Sequence, residues 1–259
     1  MTLIPKSLVV GGDSIRHNRS FSQSELCSRP EFVLSIVSDP PALEEVLWGQ
    51  DGAMQGFQRG SMYIDSSTVS PTLARKVAAA CEERGVRFLD APVTGGDWGA
   101  KKGELVFMAG GHAATLADAE PVLRVLGKKW FHLGPNGAGQ TIKLAMNMIL
   151  ALEVDALAEA LALVTAAGLQ GERLVEVMQS SMARSGVLDI KSQNLLKGDY
   201  TPSFPLRLML KDMRLALELA QQTHVELPAT EAAFKTYSTV KEAAKEDLDY
   251  SAVMKFWKK

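Results

Sequence analysis

Cysteine is scarce in this chain of 259 residues, with only Cys27 and Cys81 present. Two cysteines cannot build a disulfide framework or a multi-cysteine metal centre, and their scarcity fits a reducing, cytoplasmic setting. Histidine is equally thin. His17, His112, His132 and His224 lie far apart without metal-ligand spacing, so no metal is expected. An excess of positive charge is also missing. Lys and Arg number 28 against 30 Asp and Glu, a net −2 that gives no basic surface for nucleic acid. No apolar run suits a membrane. The longest tract, 144–169, is interrupted by Asn147, Glu153, Asp155 and Glu159, and acidic groups are costly at bilayer depth. The N-terminus has too short an apolar run for a signal peptide and no small-residue cleavage site. What is there is ordinary: 46% hydrophobic and 22% charged residues, enough for a real core. At roughly 150 residues per domain, the length makes one large domain or two modest ones.

Between residues 31 and 133, short β-rich runs alternate with helical patterns. Strands are expected at 31–37, 61–65, 86–90, 104–109 and 130–133. A helix over 42–48 follows Ser38 or Asp39 as cap, with Pro40 and Pro41 in its first turn. A second starts at Pro71 behind the cap Ser70 and stops at Gly85, and a third covers 114–126. Residues 49–60 read as a glycine-punctuated loop. Strands separated by helical patterns of this length make βαβ units and a mostly parallel sheet. After Gly139 the strand signals stop. A helix over about 140–167, about 45 Å long at 1.5 Å per residue, ends at Gly168. Helical patterns follow at 172–182, 187–196, 205–223, 229–245 and 251–256, so the second half is all-α.

Three segments carry candidate chemistry. Residues 90–105 (DAPVTGGDWGAKKGEL) begin where a strand ends, the place where open α/β sheets bind ligands. Their glycines free backbone amides to hold an anion, although a plain turn-rich loop has the same composition. In GAGQTIKLAMN (137–147), Lys143 and Asn147 stand four apart on one helix face that is otherwise apolar. A lysine desolvated there loses proton affinity, which suits proton transfer; a solvated charge is the bland alternative. The third is LMLKD (208–212), where Lys211 and Asp212 read equally as a surface ion pair.

Taken in order with Ser-Asp-Pro-Pro after the first strand of this region and IDSST (64–68), these motifs resemble the β-hydroxyacid dehydrogenase family. This is the group of 3-hydroxyisobutyrate dehydrogenase and the tartronate, glyoxylate and succinic semialdehyde reductases. The resemblance covers 31–259. It implies an NAD- or NADP-dependent oxidoreductase that interconverts a small 3-hydroxy acid and its semialdehyde. Lys143 falls on the family's catalytic lysine, a residue that the related imine reductases generally lack, and Asn147 on the asparagine that orients the substrate. Thr94, Gly95 and Gly96 fall on the segment that binds the substrate carboxylate, with Thr94 where serine is usual. Val37 and Ser38 occupy a cofactor loop that more often reads Leu-Pro. Thr68 matches a threonine near the nicotinamide, and Lys211 a lysine that reaches the cofactor.

The family's opening strand, G-x-G-x-x-G turn and helix have no counterpart here. The nearest candidate, Val9-Val10-Gly11-Gly12-Asp13, puts Asp13 where the second glycine is needed. Residues 1–30 therefore read as a remnant, in the manner of a helix end, which leaves the sheet with an unpaired edge and the cofactor weakly held. The expected fold is α/β: an incomplete Rossmann-like, mostly parallel sheet in domain 1–136, followed by an all-α domain, 137–259, built on one long helix. The expected partners are a small carboxylate substrate and a second copy through the α-domain, with neither nucleic acid nor membrane. The alternative function is a truncated, non-catalytic paralogue that keeps the α-helical dimerisation domain.

Overall fold

The computed structural model describes residues 7–11, as a backbone path, and 31–257. The chain divides into two compact units, Met1–Lys143 and Leu144–Lys259.

The first unit holds a seven-stranded sheet among the described residues. Strands β1 (Ser7–Gly11), β2 (Phe32–Ile36), β3 (Met62–Asp65) and β4 (Arg87–Asp90) run parallel side by side. β6 (Leu105–Gly111) pairs antiparallel with β4 and with the two-residue β5 (Val93–Thr94), and parallel with β7 (Gly127–Gly134) on its other side. Helices α1 (Pro40–Trp48), α2 (Ala53–Gly56) and α3 (Pro71–Glu83) make the crossovers from β2 to β3 to β4. Helix α4 (Gly96–Lys102) follows β5, and α5 (Ala113–Leu126) joins β6 to β7.

Caps set these helices where the sequence places them. The Asp39 carboxylate accepts from the Ala42 amide at 2.9 Å, and Ser70 Oγ from Leu73 at 3.0 Å, each with proline in the first turn. Alternation along the strands then splits the core between the two sheet faces. Val33, Tyr63 and Phe88 pack with Leu43, Leu47, Leu73, Val77 and Cys81 on the α1–α3 side. Leu34, Met62, Ile64 and Leu89 pack with Leu116, Val122 and Leu123 of α5 on the other. Burial pushes the Cys81 thiol up to about 12, with Arg84 opposing, so it is an inert core residue.

Two expectations need correction. β1 pairs with β2 from Ser7↔Phe32 to Gly11↔Ile36, so the edge of β2 is not left open and residues 7–11 are a strand rather than a helix end. Leu8-Val9-Val10 is a short run with β-propensity, and the exposed backbone edge of β2 is its template. The rest of 1–30 lies outside the described residues. The second correction concerns two stretches read as loop: 90–105 contains β5 and α4, and 49–60 contains α2.

Helix α6 (Ala138–Ala166) starts in the first unit and continues into the second. In the second unit its Ala151, Val154, Leu157, Ala158 and Leu161 share a core with α7 (Gly171–Gln179), α8 (Gly186–Lys197), α9 (Leu206–Thr223) and α10 (Pro228–Ala243). A 3₁₀ turn (Tyr250–Val253) and α11 (Met254–Trp257) close that core. A buried ion pair staples it. Lys191 Nζ lies 2.6 Å from Asp249 Oδ1, and Asp249 also accepts from the amides of Ser203, Phe204 and Ser251. Burial raises the Asp249 carboxyl, yet Lys191 and these donors outweigh it and hold the group at about 2. Among the described residues, no helix is long and apolar enough to cross a membrane.

Candidate active site

In a parallel sheet the strand C-termini open on one edge, and that edge is where loops can meet a ligand. Here β2 leads into Val37–Asp39, β3 into 66–70 and β4 into 91–94. Two carboxylates end neighbouring strands in register, Asp65 on β3 and Asp90 on β4. Both are buried, and burial pushes both above the usual carboxylate value against the hydrogen bonds that oppose it.

Each carboxylate organises a loop. Asp65 Oδ1 accepts from Ser35 Oγ and Ser67 Oγ, both at 2.7 Å, and from the Ser67 amide at 3.2 Å. Ser67 Oγ in turn accepts from the Val37 amide at 2.9 Å, so the β2 and β3 loops are bound together. Asp90 accepts from the Gly137 amide at 2.8 Å and the Gln140 amide at 3.2 Å, satisfying donors at the start of α6. Asn136 Nδ2 adds a bond to Asp90 at 3.3 Å. The chain passes so close here that a Cβ on Gly139 would fall into the Met108 and Asp90 carbonyls.

Of the residues singled out in the sequence, Val37 and Ser38 lie half-buried in the β2 loop, with Ser38 Oγ donating to Asp39 at 3.0 Å. Thr68 lies half-buried in the β3 loop. Thr94 ends β5, and Gly95 and Gly96 form the exposed turn into α4, Gly95 at φ +124°, where side-chain-bearing residues are strained. Lys143 is 8% exposed, two turns into α6. In the second unit Asn147 Nδ2 donates to Asp212 Oδ2 at 2.5 Å, and Lys211 Nζ lies 3.1 Å from Asp212 Oδ1. Asp212 is buried, so LMLKD is not a surface pair.

Sequence reasoning missed Asp65, Asp90, Gln140 and Asp212 as organisers. All four stood inside quoted motifs, yet their bonds span 30, 50, 65 and 73 residues, which local patterns do not encode.

Comparison with known proteins agrees with this architecture. Residues 11–134 match the NAD-binding domain of 6-phosphogluconate dehydrogenase, and 137–257 match the "NAD-binding of NADP-dependent 3-hydroxyisobutyrate dehydrogenase". The chain is 32% identical to 2-hydroxy-3-oxopropionate reductase of Escherichia coli, covering 95% of this chain and 83% of that protein. It is 36% identical to 3-hydroxyisobutyrate dehydrogenase of Pseudomonas aeruginosa, covering 92% and 83%. The Mycobacterium tuberculosis 3-hydroxyisobutyrate dehydrogenase structure with L-serine superposes with a TM-score of 0.81 at 32% identity, over 90% of this chain and 81% of that one. A Rossmann-like parallel unit that runs through one helix into an all-α unit, with these relatives, defines an NAD(P)-dependent oxidoreductase. The chain belongs to the β-hydroxyacid dehydrogenase family.

Proposed function

We propose that this chain interconverts a small 3-hydroxy acid and its semialdehyde, with Lys143 as general acid/base. The observation that carries the reading is the burial of Lys143 in the opening turns of α6, at the motif position of the family's catalytic lysine. NAD or NADP, when bound, supplies or accepts the hydride. The strand-end edge suits such a group: Ser66 Oγ is buried there without a hydrogen-bond partner among the described residues. Val37, Ser38, Thr68 and Lys211 are the residues that would hold it.

The chain's own groups then divide the work. The amides of the Thr94–Gly96 turn hold the substrate carboxylate. Lys143 takes the hydroxyl proton in oxidation and returns one to the carbonyl oxygen in reduction. Asn147, fixed by Asp212, orients the reacting group. The same reading takes 136/137 as the boundary between the two family-type domains, the cytoplasm as the setting, and a second copy through the α-domain as the partner.

Replacing Lys143 tests the reading. Lys143→Ala should lower kcat for a 3-hydroxy acid by at least ~10², the usual scale for losing a general acid/base, with an unchanged circular dichroism spectrum. Turnover near wild type by the variant would sink the assignment.

A further inference from the structure

Gln140 is fully buried, and both ends of its side-chain amide are bonded to the same loop. Its Nε2 donates to the Ser67 carbonyl at 2.8 Å, and its Oε1 accepts from the Val69 amide at 3.1 Å. These two backbone groups flank Thr68. The Gln140 main chain is fixed separately, through its amide to Asp90, and the backbone at Gly139 passes too close to the Met108 and Asp90 carbonyls to admit a Cβ. Lys143 lies three residues further along α6, one turn from Gln140.

We infer that Gln140 is a positioning residue: it locks the Thr68 loop to the first turn of α6, so that Thr68 and Lys143 keep one fixed register. The inference rests on the roles given above to Thr68 and Lys143. The geometry supports it in three ways. A side-chain amide offers a donor and an acceptor in one plane, matching a C=O and an N–H two residues apart. Both bonds are desolvated, so losing them leaves two backbone groups unpaired rather than hydrated. A displacement of about 1 Å between groups that must act together costs as much as 10²-fold in rate. Asp90 is the anchor of this device, and Ser67 extends it through the Val37 amide to the β2 loop.

The test uses two variants of the full chain. Gln140→Met keeps the volume and loses both bonds. It should lower kcat at least tenfold with KM for the hydroxy acid changed less than threefold, and should speed hydrogen exchange of the Val69 amide at least tenfold in the cofactor-free protein. Gln140→Glu provides the rescue: its protonated carboxyl donates and accepts as the amide does. The site is buried and Asp90 already accepts from the main-chain amide of residue 140, which favours the protonated carboxyl, while Lys143 one turn along opposes it; its activity relative to wild type should rise as pH falls from 9 to 6. Faster exchange at Val69 with unchanged kcat would overturn the positioning role. Unchanged exchange would overturn the clamp itself. If Gln140→Met does not fold, the pH trend of Gln140→Glu decides, and a flat ratio to wild type refutes the inference. A Lys143→Ala variant that keeps its activity while Val69 responds as expected would instead refute the assignment of Lys143.

Discussion

Asp65 is a residue whose ionisation the fold resists. It is sealed at the end of β3, and the hydroxyls of Ser35 and Ser67 bond its carboxylate without removing the cost of burial. Because its folded-state pKa is raised, the native protein holds this proton more tightly than the unfolded chain does. The group's contribution to stability is fully present below the unfolded pKa and declines as pH rises towards the folded one. Asp65→Asn keeps an acceptor for both serines and removes the charge. Urea denaturation at pH 4 and pH 7.5 should show the variant gaining on wild type at the higher pH, and a difference that ignores pH would contradict this. Asn147 makes the opposite case. Its amide donates to a buried carboxylate, so Asn147→Leu should cost about 1–3 kcal/mol by leaving Asp212 Oδ2 without a donor. A melting curve within error of wild type would exclude that cost.

At the scale of elements, strong periodicity and good caps were legible. Helices α1, α3, α5, α6, α8 and α9 begin and end within about four residues of their expected positions, because Asp39, Ser70 and Gly168 punctuate them as side-chain chemistry requires. β5 and α4 were not, since Thr94-Gly95-Gly96 reads as a turn and only pairing with β6 makes Val93–Thr94 a strand. β1 was passed over for the same reason: five residues count as a strand only beside an open neighbour. Of the candidate site, Lys143, Thr68 and Thr94 could be named from motifs, but the Asp90–Gln140 bonding could not, because its partners meet only after folding. The Lys191–Asp249 staple in the helical unit is another such meeting. Lys191→Met should destabilise that unit by about 3–5 kcal/mol, because it leaves Asp249 charged and buried. Pairing it with Asp249→Leu should recover part of the loss, and an equal or larger loss in the double variant would refute the account. The depressed Asp249 carboxyl implies that its stabilisation is complete above the ordinary carboxylate range and is lost as pH falls through about 2.

For the molecule as a whole, the apolar surface of the second unit is a prediction about assembly. Ile149 is 51% and Leu163 71% exposed on α6, and Val177, Met182 and Ile190 are exposed as well. Faces of this kind are aggregation liabilities unless they are covered. Sedimentation at micromolar concentration should give a dimer or larger species, and Leu163→Glu should shift it towards monomer; a stable wild-type monomer would exclude the proposal. The start of α6 has a different consequence. Matches to the two family patterns meet between residues 134 and 137, yet Gly137, Gly139 and Gln140 make their bonds and close contacts with the α/β unit. Exchange of modules between relatives at that seam would take Asp90 from one parent and its helix start from the other. A chimaera joined there inherits matched contacts at the helix start only when both parents agree on those residues, whereas one joined beyond Lys143 carries the whole contact set from a single parent. The natural unit of inheritance in this fold is therefore the sheet together with the first turns of the helix that leaves it.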